Sequence, residues 1–109
     1  MWVRRVEFRL WRPMSMVWRH ADPRTAFLGN QFKEFGEANR QILFDEMRWL
    51  DREIDDGRAF IAGERYSIAD IVTLCGLDFA GFVQMPIPAE CRALTAWHAR
   101  ITARPSSAA

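Results

Sequence analysis

A chain of 109 residues, half of them hydrophobic and 27% charged, fits one domain with enough apolar side chains for a core of its own. The formal net charge of +1 supplies no global pull toward nucleic acid or an anionic membrane, so neither is an expected partner. Two cysteines, Cys75 and Cys91, are too few for a disulfide framework and point to the cytoplasm, and no apolar run approaches the roughly 20 residues that span a bilayer.

Hydrophobic periodicity predicts an all-α bundle of four or five helices. The first runs over residues 1 to about 20. Val3, Val6, Leu10, Met14 and Val17 share its core stripe. Pro13 falls mid-pattern and should bend the helix or break its hydrogen-bond ladder. Opposite the core stripe lie Arg5, Arg9, Arg12 and Met16, a row expected to be solvated or to meet anionic groups. To one side lie Phe8, Trp11 and Trp18, with Arg4 among them. That aromatic stripe is too apolar for open water, so a subunit partner or a substrate cleft should cover it. Asp22 to Asn30 reads as a loop.

The second helix is expected over 31–56, with Phe32, Phe35, Ile42, Leu43, Met47, Leu50 and Ile54 on one face. Asn39 and Glu46 fall on that same face and need hydrogen bonds from neighbouring helices. A third helix, over 68–83, has an over-determined start. Ser67 is an N-cap, and the Asp70 carboxylate can reach back to its N–H, closing a capping box. Tyr66 and Ile71 have the spacing of a hydrophobic staple. Along this helix Ile68, Ile71, Val72, Cys75, Phe79 and Phe82 form one face, and Leu74 and Leu77 the other. A helix apolar on both sides belongs in the middle of a domain. Asp78 within it should therefore need an arginine or several hydrogen-bond donors, as a structural ion pair rather than a catalytic acid.

The fourth helix is expected over 88–103, with Pro88 in its first turn and Cys91, Leu94, His98 and Ile101 in a stripe beside Trp97. A last short turn could follow around Pro105 to Ala108. A buried Cys75 should have a raised thiol pKa, and Cys91 in a first turn a lowered one. Neither is expected to be catalytic. His20 and His98 lack partners at metal-ligand spacing, so no metal site is expected.

Two stretches carry a family resemblance. The run Phe-Ile-Ala-Gly-Glu-Arg-Tyr-Ser-Ile-Ala-Asp-Ile from Phe60 to Ile71 resembles the start of helix 6 in the C-terminal helical domain of glutathione S-transferases. Leu94, Trp97, Arg100, Arg104 and Pro105 match the pattern that closes that domain, and the first 13 residues are similar to part of helix 4 in bacterial members. The resemblance implies a domain that supplies the hydrophobic-substrate site and dimer contacts of an enzyme conjugating glutathione to electrophiles. Glutathione, the co-substrate, is held in that family by a separate thioredoxin-like N-terminal domain, which also supplies the activating residue. Nothing in this sequence reads as that domain, and Met1-Trp2-Val3-Arg4 carries no N-cap. The expectation is therefore a C-terminal piece of a longer, homodimeric protein, or a short reading frame derived from a longer ancestor, with no cofactor and no catalytic residue of its own and inactive alone. The resemblance places the cleft along the first helix, which makes Trp2, Arg5, Phe8, Arg9 and Arg12 the substrate-binding candidates. The alternative is a non-catalytic helical module for protein–protein interaction, and a nucleic-acid binder is disfavoured by the near-neutral charge.

Overall fold

The computed structural model describes residues 2–104. Pro105 of the closing pattern and the turn expected around it lie outside the described residues. Within them the chain is all helical: α1 (Trp2–Val6), a π-helical turn (Glu7–Trp11), α2 (Arg12–His20), a 3-10 helix (Pro23–Leu28), α3 (Lys33–Ile54), α4 (Ile68–Phe82) and α5 (Arg92–Thr102). The only extended pairing among them is an isolated bridge between Phe60 and Gly63.

α1, the π turn and α2 follow one another without a break, so the first helix survives its proline. The accommodation comes earlier than Pro13. Arg12 donates its N–H to the Glu7 carbonyl, five residues back, and Pro13 then falls in the first turn of α2, where a missing N–H is tolerated. Val6, Leu10, Met14 and Val17 are buried along this rod against Leu43, Met47, Leu50 and Ile54 of α3. Trp97, Leu94 and Ile101 of α5 close the core from the other end.

The segment expected as a loop is a capped corner. Asp22 accepts the Arg24 N–H at 2.9 Å and its guanidinium at 2.9 and 2.6 Å, which turns Pro23–Leu28 into a 3-10 helix. The Thr25 hydroxyl donates to the Trp18 carbonyl at 2.6 Å, and the Gln31 amide to the Asp22 carbonyl at 2.7 Å. The first satisfies a carbonyl orphaned at the end of α2, and the second ties the corner beyond it. The two polar residues on the apolar face of α3 are also accounted for. Asn39 donates to the Phe35 carbonyl of its own helix at 2.9 Å, and Glu46 pairs with Arg9 at 3.1 Å.

α4 turns the opposite way from its hydrophobic pattern. Its buried residues are Ala69, Asp70, Thr73, Gly76, Leu77 and Ala80. Ile68, Ile71 and Phe82, expected in the core, are 64%, 45% and 47% exposed, and Cys75 is exposed with them. The reason is close approach. A Cβ on Gly76 would sit 3.0 Å from the Trp11 indole nitrogen, which itself donates to the Val72 carbonyl at 3.2 Å. Small residues let α4 press on the first helix, and the larger ones are left outside. Asp78 goes with them: it is exposed and meets His98 Nε2 at 2.8 Å rather than a buried arginine.

The buried carboxylate of α4 is Asp70. Its Oδ2 accepts the Ser67 N–H at 2.9 Å, and its Oδ1 accepts the Ile61 N–H and the Trp97 indole N–H, each at 2.9 Å. Ser67 Oγ accepts the Ala69 N–H at 3.3 Å, so the capping box is present and extends into a tie between three segments. Tyr66 stacks edge-on against Phe60 at 6.0 Å and under the Arg104 guanidinium at 3.8 Å.

α4 ends in a Schellman turn. Met85 donates to the Ala80 carbonyl at 2.8 Å and Gln84 to the Gly81 carbonyl at 3.0 Å. Gln84 takes φ 67° there, a conformation that suits glycine better than any residue with a Cβ. Gln84→Gly is therefore expected to stabilise the fold by about 0.5–1 kcal/mol; an unchanged or lower urea midpoint would count against strain at this turn.

α5 starts later than expected. Cys91 is its N-cap residue, and the helix is capped from outside by Asp51 of α3, whose carboxylate accepts the Leu94 N–H at 2.8 Å. Between Ile54 and Ile61, Asp56 takes four contacts from Arg58, including its backbone N–H at 3.1 Å and a guanidinium nitrogen at 2.7 Å. Those bonds hold the Asp56 carboxyl down at about 2. Because the folded value lies below the ordinary one of about 3.9, the stabilisation is fully present above that value. It is lost as pH falls from there through about 2. An NMR titration of the Asp56 carboxyl checks this, and a midpoint near 4 would refute the loop clamp.

Candidate functional site

The five candidates on the first helix divide into two groups. Trp2, Arg5 and Arg9 are drawn into a ladder with α3. The Trp2 and Trp49 rings lie 6.1 Å apart. Arg5 stacks over both at 4.3 and 5.0 Å and pairs with Glu53 at 3.4 Å. Arg9 stacks over Trp49 at 3.9 Å and pairs with Glu46 at 3.1 Å. Arg5 and Arg9 of the arginine row thus meet anionic groups, as one of the two expectations had it, in a half-buried seam between two helices. Each guanidinium offers one face to an indole and its edge to a carboxylate, which is how arginine differs from lysine.

Phe8 and Arg12 are the other group and point away from the fold. Phe8 is 66% exposed, and the Arg12 guanidinium lies over its ring at 5.1 Å. Arg12 has no acidic partner among the described residues. The two residues stand where two open depressions meet. One, of about 690 Å³, is bordered by Arg4, Arg5, Glu7 and Arg9. The other, of about 420 Å³, runs between the first helix and α3 over Pro13, Met16, Phe35 and Ile42. Phe35 and Ile42, expected in the core, are 50% and 46% exposed here. The first is a shallow surface bordered by charged side chains with Phe8 among them, and the second has an apolar floor beside Arg12.

The aromatic stripe of the first helix is split. Trp18 packs edge-on against Phe79 at 5.4 Å and Phe82 at 5.6 Å, and Trp11 lies 6.4 Å from Phe79. These two tryptophans are covered by α4 of the same chain and need neither a partner nor a substrate. The apolar surface missed by sequence reasoning is the outer side of α4, with Ile68, Ile71, Cys75 and Phe82. Helical periodicity grouped these residues correctly but could not say which side of the helix meets the core.

Ser67 is spent on the cap. Burial pushes the Cys91 thiol up, and Asp51 and Glu90 push it further, which reverses the lowering expected from a helix N-terminus. Cys75 is exposed, not buried. A thiol reagent is therefore expected to label Cys75 rapidly in the folded protein and Cys91 only on unfolding; two fast equivalents would contradict this packing. Among the described residues no three His, Cys, Asp or Glu side chains are grouped to hold a metal ion, and no helix is long and apolar enough to cross a membrane.

Residues 16–105 match the family described as Glutathione S-transferase, C-terminal domain. The chain is 37% identical over 108 residues to glutathione S-transferase 2 of Saccharomyces cerevisiae, with 94% of this chain and 45% of that protein covered. Its fold superposes on the crystal structure of Gtt2 from the same yeast with a TM-score of 0.88 at 35% identity, over 99% of this chain and 52% of that one. A glutathione S-transferase domain-containing protein from Marinobacter aquaeolei VT8 superposes with a TM-score of 0.85 at 31% identity, over 98% and 53%. The chain spans about half the length of the relatives it matches. With the helix order, the capping box at Ser67 and these matches in agreement, the chain belongs to the glutathione S-transferase C-terminal domain family.

Proposed function

We propose that this chain is the helical half of a glutathione transferase and lends it the electrophile-facing surface. The observation that carries the reading is the uncovered outer side of α4, where Ile68, Ile71 and Phe82 stay exposed in a chain half the length of its relatives. That side is the seat of a thioredoxin-like domain, which holds glutathione as co-substrate. Phe8 and Arg12, with Trp2, Arg5 and Arg9 behind them, line the electrophile side. An exposed ring under a guanidinium suits a planar electrophile with partial negative charge. The complete protein is a cytoplasmic homodimer, a reading supported by family membership. The same membership disfavours the non-catalytic interaction module.

The residue that activates the glutathione thiol belongs, on this reading, to the thioredoxin-like domain. Titrating glutathione into the 109-residue chain by calorimetry is expected to give no binding heat. Adding the unmatched part of the yeast transferase to the chain is expected to restore glutathione conjugation, and Phe82→Asp to abolish that gain. Micromolar binding of glutathione by the chain alone would overturn the division of labour, and a mixture unaffected by Phe82→Asp would overturn the α4 seat.

A further inference from the structure

The longest helix of the fold is held at its start by a histidine from the helix before it. Phe32 stands at the N-cap position of α3 and makes no side-chain cap bond. His20, the last residue of α2, accepts the Phe32 backbone N–H on Nδ1 at 3.2 Å. A backbone N–H can only donate, so this bond requires an imidazole without a proton on Nδ1. The ring is seated against Phe32 and Phe35, each with centroids 5.5 Å away. One turn on, Gly36 brings the backbones together: a Cβ there would lie 2.7 Å from the Ala21 nitrogen.

We propose that His20 is an acid-released latch, whose protonation opens the bond to Phe32 and loosens the corner formed by the 3-10 helix and the first turn of α3. An imidazolium carries N–H on both ring nitrogens, so Nδ1 then faces the Phe32 N–H as donor against donor. The two helix ends act in sequence. The C-terminus of α2 attracts the positive charge, and the N-terminus of α3 is what the charge repels.

The charged groups around the ring do not replace the lost bond. On its own helix Arg19 is held by the Leu28 and Asn30 carbonyls. In the 3-10 segment the Asp22 carboxylate is taken by Arg24. On the opening turns of α3 stand Lys33, Glu34 and Glu37, the last paired with Arg40. None of them hydrogen-bonds the imidazole among the described residues. The released corner carries Phe27, Leu28 and Phe32, all exposed, so the consequence of protonation is a mobile apolar edge.

NMR on the 109-residue chain tests this. At about pH 7.5 the His20 ring is expected as the Nε2–H tautomer, because Nδ1 accepts the Phe32 N–H. Protection of the Phe32 amide, corrected for intrinsic exchange, is expected to fall about fivefold by about pH 5.5, the factor one ordinary hydrogen bond is worth. Leu43, in the middle of α3, is expected to keep its protection. His20→Asn supplies a carbonyl acceptor that does not titrate and is expected to hold Phe32 at both pH values. His20→Phe is expected to lose protection at both. An Nδ1–H tautomer, pH-independent protection in the wild type, or the same fall in His20→Asn would each overturn the latch.

Discussion

Asp70→Ala is expected to cost about 3–5 kcal/mol, the largest loss from any single polar substitution in this fold. The substitution removes one acceptor pair and strands three donors. The Ile61 N–H, the Ser67 N–H and the Trp97 indole N–H all end on this carboxylate at 2.9 Å, and Asp70 and Ile61 are fully buried, with Trp97 1% exposed. A buried donor left without a partner costs about 1–3 kcal/mol, so two or three of them exceed the value of an ordinary helix cap. Ser67→Ala provides the contrast. It removes only the 3.3 Å bond to Ala69 and is expected to cost about 1 kcal/mol. Urea unfolding of both variants checks the ranking. Equal losses would mean that Asp70 acts as a cap alone and that its ties to Ile61 and Trp97 carry nothing.

Gly36→Ala is expected to destabilise by about 2–3 kcal/mol, although alanine is the better helix former by about 1 kcal/mol. The methyl group would lie 2.7 Å from the Ala21 nitrogen, 2.8 Å from its Cβ and 3.0 Å from the His20 carbonyl carbon. Two of these three neighbours are backbone, so no rotamer change relieves the clash, and α2 and α3 must separate where they pack most closely. Gly81→Ala is the control. Nothing lies within 4 Å of its Cβ position, and it is expected to stabilise by up to about 1 kcal/mol. Thermal unfolding of the pair separates packing from propensity. A Gly36→Ala variant as stable as the parent would show that the helices can slide without loss.

Several features were legible from residue order because local spacing sets them. The stripe Val6, Leu10, Met14, Val17 is buried as periodicity requires, since one face of the first helix is apolar and the rest is not. The helix start at Ser67 was readable because every partner in a capping box lies within four residues. α4 defeated the same reasoning. Both its sides are apolar, and the deciding factor was size: Ala69, Gly76 and Ala80 are buried, Gly76 directly against the Trp11 indole, and Ile68 and Phe82 are left outside. Asp78 and Cys75 followed the wrong face outward for the same reason.

The candidate site was legible only in part. That Trp2, Arg5, Phe8, Arg9 and Arg12 share a helix follows from spacing. That Arg5 and Arg9 are held by Glu53 and Glu46, 48 and 37 residues away, follows only from how α3 lies against the first helix.

The sequence by itself determined the all-helical fold, the lock at Ser67 and Asp70, and the family, because short-range spacing and turn chemistry encode these. The tertiary structure alone decided which side of α4 is open, that Arg5 and Arg9 are paired while Arg12 has no acidic partner among the described residues, and that His20 holds the start of α3. Those properties depend on distances between segments, and nothing in local order reports how closely two backbones approach.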